Sequence, residues 1–310
     1  MSAARHRPTL GIALVVLMSV CFAGMDTTVK YGGQFLPVLL MLWVRYASQA
    51  LAMTVWLARS KTSGFRAAHP KFQLVRGLLL LGTSAMSFFG VQHMPVAEFT
   101  AIVMLTPVIV TLLAAFVLHE PASPLRWMLV VGGFAGALVI IRPGSGLFGW
   151  AVLFPITGTL CYASFQVLTS KLSALESPYT THFYTGAVGA LVLTPLLLAS
   201  GIDLPAVLHA ASAPHVALML GVGLLGTVGH LLLILALGLA PTATLMPFVY
   251  VQVISAAFLG WLVFRHVPDG FAFVGMAVVS VCGAASAWLN VREASQRRLV
   301  SAVESDTFAD

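Results

Sequence analysis

Long apolar runs separated by short polar breaks set the layout of this chain. Taking the breaks as boundaries predicts helices over 9–31, 37–58, 72–92, 96–118 and 126–141, then over 149–170, 180–200, 214–238, 242–264 and 270–290. Most of these runs reach the ~20 apolar residues that a helix needs to cross a bilayer. Pro37, Pro95, Pro124, Pro178, Pro214, Pro241 and Pro268 stand at or near the predicted starts, where a missing N–H costs little. Only 59–71 is a long polar connection. The other links are short, so consecutive helices pack as antiparallel neighbours. The pattern predicts an all-α polytopic membrane protein with ten transmembrane helices.

Composition narrows the alternatives. Apolar residues make up 59% of the 310 and charged residues 8%, against roughly 45–50% and 25% in soluble domains. The mean hydropathy is +0.97. So few charges cannot cover a soluble surface of this size. The net charge of +6 comes from only 16 Lys and Arg, without the clustering on one face that nucleic acid requires. Cys21, Cys161 and Cys282 lie inside apolar runs and read as small hydrophobes. No cofactor or metal is expected.

Arg5 and Arg7 ahead of an apolar run resemble a signal peptide. The run continues through Asp26 and Lys30, however, and nine more follow, which favours retention as the first membrane helix. With the N-terminus inside, twelve Lys and Arg fall on the cytoplasmic side: Arg5, Arg7, Arg59, Lys61, Arg66, Lys71, Arg76, Arg126, Lys171, Arg292, Arg297 and Arg298. Lys30, Arg142 and Arg265 fall outside, and Arg45 lies within a span. This bias predicts a multi-pass protein of a bacterial inner (cell) membrane with both termini cytoplasmic. The tail, 291–310, is basic at Arg292, Arg297 and Arg298, then acidic at Glu304, Asp306 and Asp310. It reads as a frayed, solvated segment whose basic part suits anionic membrane lipid.

The two halves echo each other. A shift of 140 lays Cys21-Phe22-Ala23-Gly24 on Cys161-Tyr162-Ala163-Ser164 and Ala50-Leu51 on Ala190-Leu191. A shift of 146 lays Met94-Pro95-Val96-Ala97 on Ala240-Pro241-Thr242-Ala243. Hydropathy repeats with them: five spans, a break at Arg142-Pro143-Gly144-Ser145-Gly146, then five more. An odd number of helices per unit turns the second half over relative to the first, the inverted repeat common in secondary transporters. The predicted units are 9–142, 149–290 and the tail.

Met94-Pro95-Val96-Ala97-Glu98, Thr106-Pro107, His119-Glu120, Gly132-Gly133-Phe134-Ala135-Gly136 and Ile140-Ile141-Arg142-Pro143-Gly144 together resemble the first repeat of an EamA-type protein of the drug/metabolite transporter superfamily. The second half is similar and more divergent. The resemblance implies two inverted five-helix halves around a central cavity and movement of small metabolites by alternating access. Two departures stand out. His119 replaces a usual Gly before Glu120, and Arg265-His266 offers no Glu matching Glu120, so no role of Glu120 is carried over.

Charges inside spans are costly and should face the bundle interior or a partner. Asp26 and Lys30 are four apart on one helix face, in the order that pairs well. Arg45 lies eight residues past Pro37, roughly 12 Å along the second helix. With Glu98, these groups form an outer set in which two acids could neutralise two bases. They line a substrate site or make structural ion pairs, Lys30 snorkelling outward in the second case. In the other half Gln166 matches Asp26 and Thr185 matches Arg45, while His230, Tyr250 and Gln252 lie mid-span. Together they suit a polar or zwitterionic small molecule with an aromatic or apolar part. His230 or Glu98 could carry a coupling proton, or His230 could simply bridge two helices. Counter-substrate coupling and a homodimer stay open. Pro107, Pro155, Pro195 and Pro247 each free a carbonyl and read as hinges or static kinks. Gly132, Gly136, Gly221, Gly223, Gly226 and Gly229 read mainly as close helix packing.

The rival class is a polytopic membrane enzyme acting on a lipid-soluble substrate. His119-Glu120 has no second His at zincin spacing, and Gly144-Ser145-Gly146 belongs to the inter-repeat turn rather than a nucleophile elbow. The sequence favours a carrier over an enzyme.

Overall fold

The computed structural model describes residues 8–60, 64–106, 108, 109, 113, 124–145, 147–172, 176–239, 245 and 248–307. Arg5, Arg7, Lys61, Pro107, His119, Glu120, Gly146, residues 240–244, Pro247 and Asp310 lie outside them. The helices are α1 (Pro8–Gly32), α2 (Val38–Arg59), α3 (Pro70–His93), α4 (Val96–Val103), α5 (Pro124–Ile141), α6 (Leu153–Leu172), α7 (Pro178–Ala199), α8 (Leu204–Ala210), α9 (Ala213–Leu239), α10 (Val251–Phe264) and α11 (Gly270–Thr307). A 3-10 turn, Gly149–Val152, leads into α6. No strand occurs among the described residues. Among the described residues six segments are long and apolar enough to cross a membrane: Thr9–Gly32, Val38–Arg59, Pro70–His93, Gly149–Thr169, Pro178–Ala199 and Ala213–Leu233. Shorter apolar helices cover Trp127–Ile141, Val251–Phe264 and Gly270–Ser286. The chain is a polytopic helical membrane protein.

The prolines do what their chemistry predicts. Pro37 and Pro95 are N-caps, and Pro70, Pro124 and Pro178 are first helical residues. Three expectations are corrected. The connection before α9 holds a short helix, α8, whose N-cap Asp203 accepts a hydrogen bond from Ala206 N at 3.0 Å; seven residues are too few to show a period. The tail is not frayed: α11 runs on to Thr307, because 284–307 contains no Gly or Pro and many good helix formers. Arg76 does not count with the cytoplasmic cations. It sits in the second turn of α3, 4% exposed.

α1 packs along α9 and against α10, and α3 packs along α6 and against α7. α2 lies between α7 and α9, α4 meets α10 and α6, and α5 packs along α11. At two crossings the backbones almost touch. A Cβ on Gly186 would lie 2.7 Å from Ala50 N, and one on Gly275 would lie 2.7 Å from Gly136 O. Without a hydrophobic drive in lipid, such contact supplies packing attraction. The glycines of α9 serve the same end: Gly223 faces Ser48, Gly226 faces Arg45 and Gly229 faces Phe22.

Polar ties close both ends of the bundle. At one end Lys30 Nζ donates to Val91 O (2.6 Å) and Met94 O (2.9 Å), and Gln92 Nε2 donates to Val29 O (2.9 Å). At the other, His69 N donates to Glu176 Oε1 (2.8 Å) and Thr180 Oγ1 to Gly64 O (2.7 Å). Arg142, with φ 49°, ends α5 and pairs with Asp269 at 2.7 Å. Asp269 also accepts from Ala272 N at 2.8 Å. That backbone bond first, and Arg142 second, hold its carboxyl below the ordinary aspartate value. A lowered carboxylate stabilises the fold above its unfolded pKa, and the contribution is lost as pH falls through the folded value. The melting temperature should therefore fall more steeply for wild type than for Asp269→Asn between about pH 5 and pH 3. Parallel acid limbs would show that the cap contributes nothing.

Candidate functional site

Between α1, α3, α4, α6, α9 and α10 lies a cavity of about 450 Å³, within the roughly 300–1,000 Å³ range of small-molecule sites. α1 presents Met18, Phe22, Met25 and Asp26 to it, the 3.6-residue stripe of one helix face. Phe99, Tyr162 and Phe165 supply further aromatic wall.

Six of the eight residues singled out from the sequence border this cavity: Asp26, Arg45, Gln166, His230, Tyr250 and Gln252. Asp26 is 5% exposed and accepts from Ser87 Oγ at 2.8 Å. Arg45 is 1% exposed, with its guanidinium 4.3 Å over the Tyr46 ring. Its Nε and Nη1 have no hydrogen-bond partner. His230 Nδ1 lies 3.1 Å from Gly226 O, and its ring meets Phe22 edge-on at 4.8 Å and His182 at 6.1 Å.

Lys30 and Glu98 lie outside the cavity lining; Asp26 lies within electrostatic range of Arg45 and Glu98 of Lys30, but neither pair is in direct ion-pair contact. Asp26 and Lys30 share a helix face, yet they do not pair. The ammonium turns to the carbonyls of Val91 and Met94, at the end of α3, where helix acceptors lack partners and the dipole is negative. Glu98, buried in the first turn of α4, pairs through Oε1 with His266 Nε2 at 2.9 Å.

A second buried polar group on α2, α3 and α7 escaped the sequence reading. Arg76 Nε donates to Thr169 Oγ1 (2.7 Å), and its Nη1 donates to Thr185 Oγ1 (2.7 Å) and Thr181 O (3.3 Å). Gln49 Nε2 lies 3.2 Å from His182 Nδ1 and donates to His182 O at 3.0 Å. Gln73 Nε2 donates to Thr181 Oγ1 at 3.1 Å. The signal was present: Arg45/Gln49 and Gln73/Arg76 are polar pairs at helical spacing inside apolar runs.

The fourth and ninth runs, expected to be continuous, are both broken beside the cavity. α4 stops at Val103, and Met104 and Leu105 form a turn; Tyr250 forms another just before α10. Pro107 cannot donate to Val103 O, and Thr106 Oγ1 takes that carbonyl at 2.6 Å. Tyr250 hydroxyl donates to Met104 O at 3.2 Å, so one break satisfies the other across the cavity wall. The two positions are 146 apart, the offset at which the sequence repeats here. Of the other two in-span prolines, Pro195 lies inside α7, whereas Pro155 lies in the first turn of α6, where it breaks nothing.

Among the described residues no group of three His, Cys, Asp or Glu side chains converges as metal ligands. The arrangement can bind: a guanidinium group, a carboxyl, amides and hydroxyls are fixed at separate points around aromatic walls.

The sequence model of the EamA-like transporter family matches residues 9–142 and again 149–288. The riboflavin transporter of Rhizobium johnstonii is 29% identical over 280 residues, covering 88% of this chain and 89% of that protein. The riboflavin transporter of Vibrio cholerae is 28% identical over 284 residues, 89% of this chain and 92% of that one. The S-adenosylmethionine uptake transporter of Rickettsia prowazekii is 23% identical over 269 residues, covering 87% and 89%. A solved crystal structure shares the fold with a TM-score of 0.61 at 18% identity, covering 92% of this chain and 97% of the other.

Proposed function

Since the chain belongs to the EamA-like transporter family, we propose that it carries a small polar or zwitterionic metabolite across the bacterial inner membrane by alternating access, with the cavity as its substrate site. The observation that carries this reading is a chamber walled by helices from both halves, with Asp26 and Arg45 from one and Gln166, His230, Tyr250 and Gln252 from the other. The family and its named relatives are transporters rather than enzymes.

Helix packing supports two inverted five-helix units. Exchanging the halves turns α1 on α9 into α6 on α3, α1 on α10 into α6 on α4, and α2 on α9 into α7 on α3. α2 with α7, α4 with α10 and α5 with α11 map onto themselves. Moving Arg76 into α3 leaves eleven Lys and Arg on one side against three on the other, which keeps both termini in the cytoplasm and the Lys30 end outside. The substrates named for the relatives, riboflavin and S-adenosylmethionine, both combine a flat ring system with polar groups, as the lining of this cavity does.

Purified protein in liposomes should take up radiolabelled riboflavin or S-adenosylmethionine saturably, and unlabelled solute inside should speed that entry. If neither enters faster than into protein-free liposomes, and no metabolite of a broad library raises the melting temperature, the carrier reading fails. Cysteine labelling should find both termini on one side; opposite sides would overturn the inverted ten-helix plan.

A further inference from the structure

We propose that the ligand of this cavity bears an anionic group, a carboxylate or a phosphate, which docks on the unpaired N–H groups of Arg45. The proposal rests on reading the cavity as the substrate site.

A guanidinium stays protonated in proteins, so Arg45 brings a full positive charge into the bundle. That charge is 1% exposed, and two of its three nitrogens lack a partner. Among the described residues no carboxylate lies within ion-pair distance of it. The acids that might neutralise it are otherwise held. Asp26 is bonded to Ser87 and acts on Arg45 only through space, without direct contact, and Glu98 pairs with His266. Arg76, the other guanidinium of the core, is satisfied only by neutral threonine oxygens. Arg45 thus borders the chamber, with Arg76 buried behind its wall and Asp26 the one carboxyl among the lining residues. A buried charge without a counter-charge in direct contact is strongly unfavourable, and an anion that bonds its free N–H groups supplies that contact.

The surroundings fix the guanidinium for this task. It lies 4.3 Å over the Tyr46 ring, and Gly226 leaves room for its stem, since a Cβ there would lie 3.1 Å from Arg45 Cγ. Planar N–H groups held this way match the oxygens of a carboxylate or phosphate. Phe22, Phe99, Tyr162 and Phe165 line the same space, so an aromatic or apolar body can accompany the acidic group.

The test uses the purified full-length protein in detergent, with phenylacetate, phenyl phosphate and the neutral phenylacetamide as probes. One or both anions should raise the melting temperature by several degrees, and which one does so tells carboxylate from phosphate. The amide should need at least tenfold higher concentration for the same shift. Arg45→Met should abolish the anion effect and, in anion-free buffer, melt no lower than wild type. Arg45→Lys should retain a weakened response, at least tenfold less sensitive, and it serves alone if the Met variant does not fold. An equal response to the amide, no response to either anion, or an anion response unchanged in the variants overturns the proposal. An anion response without flux in liposomes would sink the carrier reading alone. Flux of a neutral solute without any anion response would sink only this proposal.

Discussion

Gly186→Val should leave almost no folded protein in the membrane fraction. The position faces backbone rather than a movable side chain: a Cβ would meet Ala50 N at 2.7 Å, Ala50 Cα at 3.0 Å and Gln49 C at 3.2 Å. Valine adds two methyl groups beyond that Cβ, so α2 and α7 must part. Overpacking alone costs about 1–3 kcal/mol. Parting these helices also strains the two hydrogen bonds from Gln49 to His182 and removes room for the Arg76–Thr185 bond. Each buried polar group left unpaired adds about 1–3 kcal/mol. Against a total stability of roughly 5–15 kcal/mol, the sum is close to complete loss. Gly186→Ala should be intermediate. Fluorescence-detected gel filtration and melting curves give the answer, and a Val variant melting within about 2 °C of wild type, roughly the effect of 1 kcal/mol in a protein of this size, would refute the close crossing.

Asp26→Ala should lower the initial transport rate at least about thirtyfold while the protein still folds. The carboxyl borders the cavity and, among the described residues, is hydrogen-bonded to Ser87, so a donor group on the substrate can take its remaining acceptor capacity. Removing one member of a buried charged hydrogen bond costs about 2–5 kcal/mol, and 2 kcal/mol is already about thirtyfold. Ser87→Ala, which only loosens the carboxyl, should cost a few-fold. If Asp26→Ala transports at the wild-type rate with an unchanged KM, Asp26 is structural and the substrate lies elsewhere in the cavity.

Much of the fold could be read from the apolar runs and their prolines, because a bilayer forces each crossing to be a helix and the breaks to be polar. Membership of the cavity was legible for the same reason: Asp26, Arg45, Gln166, His230, Tyr250 and Gln252 are polar groups where lipid would penalise them. Which way a polar side chain turns was not legible. Lys30 sits one turn from Asp26, but the carbonyls of α3 that capture it arrive from another helix. Arg76 was counted with the cytoplasmic cations because only its distance from the end of a run is visible in one dimension. Its threonine partners come from α6 and α7, about a hundred residues away. The interruptions at Met104 and Tyr250 were masked by unbroken hydropathy on either side.

Those interruptions bear on how strain would spread. The hydroxyl of Tyr250 belongs to one half and the carbonyl of Met104 to the other, and they meet where each helical ladder lapses. A swing of one half against its twin stretches this link before it bends any intact helix. In the proposed carrier cycle the give would then sit deep inside rather than at a mouth, where one small slip opens one face as it narrows the other.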